Sequence, residues 1–120
     1  MIVGIGVDIV EVARLERALK RHPALRDRLF TADELGAGPG EPRSLAARLA
    51  AKEAARKAVG LAAGRSRWRD AEVIGGRGAP PRLELHGALL DAALAAGAAR
   101  WQLSLSHERA YAVAMVVIET

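Results

Sequence analysis

The sequence predicts an α+β fold, one domain spanning residues 1–120, with an antiparallel-rich sheet packed against a central alanine-rich helix. Three observations carry that expectation. Val3, Ile5, Val7 and Ile9 alternate with Gly4, Gly6 and Asp8 in the period of a strand. Residues 48–60, RLAAKEAARKAVG, spell a helix whose side chains are mostly methyl groups. The chain closes with WQLSLS and AYAVAMVVIE, two apolar strands joined tightly through His107, Glu108 and Arg109.

The elements follow in order. One face of the first strand is branched and apolar, and the other carries glycines leading to a carboxylate, so another backbone or a ligand can approach Asp8 closely. A helix is expected over residues 11–21, with Leu15, Ala18 and Leu19 inward and Arg14, Arg17 and Arg21 outward, ended by His22-Pro23. FTADEL is a helix start, since Thr31 and Glu34 have the capping-box spacing and Phe30 can staple to Leu35. GAGPGEP reads as a loop, and the alanine-rich helix begins near Ser44. LAAGRSRWRD is irregular and basic, AEVIGG and PRLELHG form two strands around the turn GGRGAPP, and GALLDAALAAG is a short helix.

Composition narrows the chemistry. The chain is 51% hydrophobic and 27% charged but only 3% aromatic, with a formal net charge of +4 and a pI of about 10.3. Such a balance favours acidic partners, phosphates or an acidic protein surface. Few aromatics argue against stacking on single strands. The absence of cysteine excludes disulfides, thiolate catalysis and cysteine metal sites. MIVGIGVDIV has no basic leader and contains Asp8, so it does not read as a signal peptide. AYAVAMVVI is too short to span a bilayer. A cytoplasmic protein with no membrane association is expected.

Polar groups where packing alone would prefer apolar ones mark the candidate site. Asp8 follows a strand of Ile, Val and Gly; Glu53 borders the alanine face; His107 lies between two apolar strands. If strand and helix pack together, Asp8 and Glu53 can meet, and two carboxylates at one site need a proton or a cation between them. Magnesium fits, because it takes one or two carboxylates, several waters and phosphate oxygens. Lys57, one turn from Glu53, would hold a phosphate as a point charge. A plainer reading makes Glu53 and Lys57 a solvated i,i+4 pair, Asp8 a turn residue and His107 a hairpin residue facing water. Arg48, Lys52 and Arg56 fall on one helical stripe. That stripe supports a competing reading, a non-catalytic basic module that binds nucleic acid, although this leaves Asp8 and Glu53 unexplained.

Three blocks together, GIGVDIVEVARLERAL, RLAAKEAARKAVG and SLSHERAYAVAMVVIE, resemble the holo-acyl-carrier-protein synthases, the short class of 4′-phosphopantetheinyl transferases. FTADEL, WRDAEVI and PRLELHG fall in the same order, so the resemblance covers nearly the whole chain. It implies transfer of the phosphopantetheine arm of coenzyme A to a serine of an apo acyl carrier protein, with magnesium, releasing adenosine 3′,5′-bisphosphate for fatty-acid or polyketide synthesis. It implies Asp8 and Glu53 as metal ligands, Lys57 and His107 beside the coenzyme A phosphates, and Arg48 on the nucleotide phosphates. Arg14 and Arg21 would face the acidic recognition helix of the carrier, and a homotrimer would hold coenzyme A between subunits, with no nucleic acid involved. The base that takes the serine proton would be Glu53, directly or through a metal-bound water, or else a metal-bound hydroxide. Departures from the pattern are Leu49 in place of an aromatic residue, the loop Gly60-Leu61-Ala62-Ala63-Gly64 in place of Gly-Thr-Gly, and an extra proline in GGRGAPP.

Overall fold

The period-two alternation of the first strand sends its glycines, not its branched residues, toward the core. In the computed structural model, which describes residues 1–36 and 40–120, β1 (Ile2–Glu11) lies under α4 (Pro42–Val59). A Cβ built on Gly4 would stand 2.0 Å from the carbonyl oxygen of Ala58, and one on Gly6 would stand 1.9 Å from that of Ala54. Strand and helix backbones therefore touch, which only glycine on one side and small residues on the other permit. Ala50, Ala51, Ala54, Ala55 and Ala58 are all buried. Alanine loses no side-chain entropy there and favours helix throughout.

Around this contact the chain adds α1 (Val12–Arg21), α2 (Leu25–Leu29), α3 (Ala32–Leu35), β2 (Ala71–Ile74), β3 (Arg82–Leu85), α5 (Gly87–Ala95), β4 (Arg100–His107) and β5 (Tyr111–Glu119). β1, β5 and β4 form an antiparallel sheet in that order, and β2 and β3 pair separately as a hairpin. The hairpin turn closes with the Gly76 amide donating to Ala79 O at 2.9 Å, and the Trp101 indole donates to Leu83 O at 2.8 Å, joining the two sheets. The α+β class and the order of elements agree with the sequence reading. α4 starts at Pro42, earlier than the expected Ser44, because the Glu41 side chain accepts from the Arg43 and Ser44 amides and Pro42 suits a first-turn position. Gly60 ends it in the left-handed conformation, at φ 79°. The expected loop GAGPGEP includes residues 37–39, which lie outside the described residues.

Glu34 does more than close the capping box with Thr31. Its carboxylate is fully buried and accepts from the Thr31 amide at 3.0 Å, from the Val73 amide at 3.0 Å, and from Lys52 Nζ at 2.7 and 3.0 Å. Lys52 spends its remaining donor on Ala71 O at 2.5 Å and sits 5.7 Å from the centroid of the Phe30 ring. Burial pushes the Lys52 ammonium below its ordinary value, and the Glu34 carboxylate beside it pulls back upward. Arg48 is buried too, donating to Ser44 Oγ and, at 2.9 Å, to Gly75 O. The stripe expected to form a basic surface is thus largely internal: it faces away from β1 and is covered by α3 and β2. A nucleic-acid surface cannot be built from Arg48 and Lys52.

Two stability outcomes follow from this packing. Gly6→Ala meets a backbone oxygen that no side-chain adjustment can remove, so chemical denaturation should show a loss of at least about 2 kcal/mol. Lys52→Met leaves the Glu34 carboxylate buried without its cation and should cost about 3–5 kcal/mol. Lys57→Met removes a half-exposed partner and should change stability by less than about 1 kcal/mol; equal losses for the two lysine variants would contradict the burial described above.

Candidate active site

Asp8 follows Gly4 and Gly6 on the inward face of β1, where the strand passes from the glycine contact toward α1. Gly4 meets Ala58 and Gly6 meets Ala54, so the strand runs opposite to the helix, and Asp8 comes level with the turn whose side chains lean back from Glu53 and Lys57. Lys57 Nζ donates to Asp8 Oδ1 at 3.0 Å and to Val7 O at 3.1 Å. The Asp8 side chain is 18% exposed and that of Lys57 48%. Glu53 lies one turn earlier on the same flank of α4, and its Oε2 accepts from Arg56 at 2.6 Å. Arg56 also donates to Leu61 O at 3.2 Å, tying the loop after Gly60 to the helix.

The expected Glu53–Lys57 pair is therefore replaced by two others, Asp8–Lys57 and Glu53–Arg56. Both carboxylates sit at the edge of the packed face, each partly exposed and each balanced by a cation of α4. Glu53 also lines a hollow of about 190 Å³ with Arg56, Gly64, Arg67 and Trp68. Among the described residues no group of three or more His, Cys, Asp or Glu gathers to hold a metal. The donor set on offer is two carboxylates, which suits a hard cation that keeps waters and takes further oxygens from a phosphate.

His107 and Arg48 meet elsewhere. They line a cleft of about 520 Å³ with Ser44, Gly76, Arg77 and Pro81. Burial, and then the positive charge of Arg77, push the Arg48 guanidinium below its ordinary value, yet an arginine stays charged at any physiological pH. Its Nε is buried without a hydrogen-bond partner. Arg77 donates to Asp33 O at 3.3 Å and to Glu34 O at 2.7 Å, which holds it at the cleft wall. Two arginines and an imidazole line this hollow together with the Glu41 carboxylate, so its charge is mixed with cations in excess. His107 is the last residue of β4, opposite Ala112, rather than part of the turn.

Asp8 and His107 both lie on the face of the sheet toward α4, but β1 and β4 are its two edges, separated by two strand spacings, about 10 Å. The carboxylate pair and the Arg48 cleft are thus separate within one chain. Arg14 lines a groove of about 450 Å³ with Ile9, Glu11, Leu25, Leu49 and Trp68, which adjoins the Glu53 hollow through Trp68; Arg21 ends α1, exposed to water. Arg77, Trp68 and Glu34 are the lining or supporting residues that sequence reasoning missed. Arg77 and Trp68 fall in irregular stretches with no periodicity to place them, and Glu34 was accounted for by its cap.

Comparison with known proteins places this geometry. The model of the 4′-phosphopantetheinyl transferase superfamily matches residues 4–116. A holo-[acyl-carrier-protein] synthase of Salinispora arenicola is 51% identical over 99% of both chains. The crystal structure of holo-[acyl-carrier-protein] synthase from Neisseria meningitidis superposes over 100% of both chains with a TM-score of 0.85 at 35% identity. That of the Helicobacter pylori enzyme, in complex with coenzyme A, superposes with a TM-score of 0.82 at 27% identity over 96% of this chain and 99% of its own. With a glycine-faced strand seated on an alanine-faced helix and its carboxylates at that seam, the chain belongs to the 4′-phosphopantetheinyl transferase superfamily.

Proposed function

We propose that the protein is a holo-[acyl-carrier-protein] synthase that moves the 4′-phosphopantetheine arm of coenzyme A onto a serine of an apo acyl carrier protein, using magnesium and working as a homotrimer. The observation that carries the reading is the contact of Asp8 with Lys57 where the strand–helix seam opens to water, with Glu53 one turn before Lys57 on α4. Asp8 and Glu53 would hold the ion, which when bound polarises the pyrophosphate of coenzyme A and offsets its negative charge. Lys57, already at the carboxylates and half exposed, would lend a point charge to the phosphoryl oxygens. The serine Oγ forms a bond to the phosphorus bearing the pantetheine arm as the bond from that phosphorus to the bridging oxygen breaks. Glu53 would receive the serine proton, and adenosine 3′,5′-bisphosphate leaves with the electron pair. Positioning and charge do most of the work in such a displacement.

The cleft of Arg48, Arg77 and His107 suits the nucleotide end of coenzyme A. Because that cleft and the carboxylates are about 10 Å apart across the sheet, assembly offers a way for one subunit's cleft to serve another's carboxylates. The outer face of the sheet supports assembly. Ile5, Val7 and Ile9 are 61%, 53% and 61% exposed and pair across the strands with Val117, Met115 and Val113, a contiguous apolar strip that a monomer would leave in water. Arg14 and Arg21 on α1, with Arg28 at the mouth of the Leu25–Leu49 groove, fit an acidic helix of the carrier protein. Among the described residues no helix is long and apolar enough to cross a membrane.

The test is to incubate the protein with magnesium, coenzyme A and an apo carrier and weigh the carrier. A mass gain equal to the phosphopantetheine arm is expected; tight duplex binding with no gain would favour the nucleic-acid module instead. Asp8→Ala and Glu53→Ala should each fold, by circular dichroism, yet lose transfer at least about a hundredfold. Parental rates in either variant would remove these residues from the metal site. Ile5→Glu should shift sedimentation from trimer to monomer and abolish transfer with it, whereas an unchanged trimer would show that the apolar strip is not the interface.

A further inference from the structure

The face of α4 that packs on β1 is nearly smooth. The carbonyls of Ala54 and Ala58 meet glycine backbone, so no large side chain interlocks across that contact to key the helix about its axis. A roll of about 20° would carry a carboxylate about 6 Å from that axis through about 2 Å, whereas a site of this kind tolerates only about 0.5 Å. Leu45, buried among Leu15, Leu19 and Phe30, keys the first turn of the helix; the later turns that carry Glu53 and Lys57 need an anchor of their own.

We infer that the buried Lys52–Glu34 bridge is a positioning device, which fixes the roll of α4 and with it the directions of Lys57, which meets Asp8, and of Glu53, the residue next to Lys52. The geometry supports this in three ways. Lys52 aims all three of its donors at fixed acceptors, two on Glu34 and one on Ala71 O, and hydrogen bonds are directional where apolar contacts are not. Glu34 does not float with the helix: the Thr31 and Val73 amides hold its two oxygens, so the bridge anchors α4 to α3 and β2 at once. Finally, Lys52 is the middle of a row. Arg48 reaches Gly75 O one turn before it, so the back of the helix is tied to the β2–β3 hairpin at two successive turns. A buried ion pair is seldom more stabilising than a well-packed apolar pair of the same size, which leaves orientation as its contribution. Lys52 lines the same hollow as Glu53, but its three donors are taken by Glu34 and Ala71 O. The inference rests on Glu53 belonging to the metal site proposed above.

The test uses the assembled protein and Glu34→Gln/Lys52→Met, which removes both charges and leaves an amide to accept from Val73 and donate to Ala71 O. Direct binding of Mn2+ in the presence of coenzyme A, followed by electron paramagnetic resonance, should weaken about tenfold or more, and kcat should fall about 10–100-fold. Binding of adenosine 3′,5′-bisphosphate without metal should stay within about twofold, because the Arg48 cleft keeps its own anchor on Gly75. Folded protein with Mn2+ affinity and kcat within twofold of the parent overturns the inference. So does a uniform loss of every property in proportion to unfolded protein. If the double variant does not fold, Glu34→Asp decides, since it keeps both charges and shortens the bridge by a methylene: weaker Mn2+ binding with unchanged bisphosphate binding upholds the role, and parental Mn2+ binding ends it. Glu53→Ala, measured in parallel, separates the two ideas; if it too binds Mn2+ and turns over normally, the site assignment has failed rather than the bridge.

Discussion

The direct contact of two backbones, β1 on α4, is the constraint on which the rest of the molecule depends. Gly4 and Gly6 bring the strand to the carbonyl oxygens of Ala58 and Ala54 with no room for a single methyl group between them. That closeness lets a side chain as short as Asp8 reach the helix and meet Lys57. An ordinary helix–sheet separation, filled by leucine or valine, would leave Asp8 stranded beyond the reach of any group on α4. The low aromatic content and the surplus of alanine thus bear directly on chemistry: small residues at the seam bring charged residues together at its end.

The same strand explains why the outer surface is apolar. With glycines committed inward, the alternation of β1 has nowhere to put Val3, Ile5, Val7 and Ile9 but outward, and β5 places Met115 beside them. A strand that must be glycine-faced toward the helix is left with a branched face toward water. Catalytic seam and exposed strip are two consequences of one period, so a substitution chosen to make β1 more soluble on its outer face acts on the element that carries Asp8.

Much of this was legible before any coordinates. The alternation of residues 3–9, the Thr31–Glu34 capping box and the turn between β2 and β3 are local patterns, and local patterns survive folding because the backbone enforces them. Periodicity also identified Arg48, Lys52 and Arg56 as one stripe, but it says which residues share a face and not whether that face meets water. Here α3 and β2 cover it, and a positive stripe that resembled a binding surface became a set of internal anchors. The plainer alternative for Glu53 fails for a related reason: i,i+4 spacing favours Lys57, yet Lys57 meets Asp8 across the seam, and Glu53 turns to Arg56 at i,i+3. Arg77 and Trp68 had no signal to find, since each sits in a stretch whose conformation is set by glycines and by contacts distant in sequence. The roles of Asp8, Glu53, Lys57, His107 and Arg48 came from the resemblance together with chemistry, not from spacing.

Charge needs the same separation between inside and outside. A net charge of +4 suggests a broadly basic surface, but Lys52 and Arg48 are spent on internal acceptors and Lys57 and Arg56 on carboxylates at the seam. The basic groups left facing water lie elsewhere: Arg14, Arg17, Lys20 and Arg21 on α1 are all exposed, Arg28 joins them from α2, and others are spread over the loops and strands, among them Arg65, Arg67 and Arg69. Arg17 alone among those of α1 and α2 has an acidic neighbour within ion-pair distance, Glu11 at 3.5 Å. The helix beside the apolar groove thereby carries four exposed cations, while those of α4 are mostly paired or buried. An acidic helix approaching that end would gain from both long-range attraction and a groove to bury its apolar residues, while the seam, electrically balanced at rest, would not compete for it.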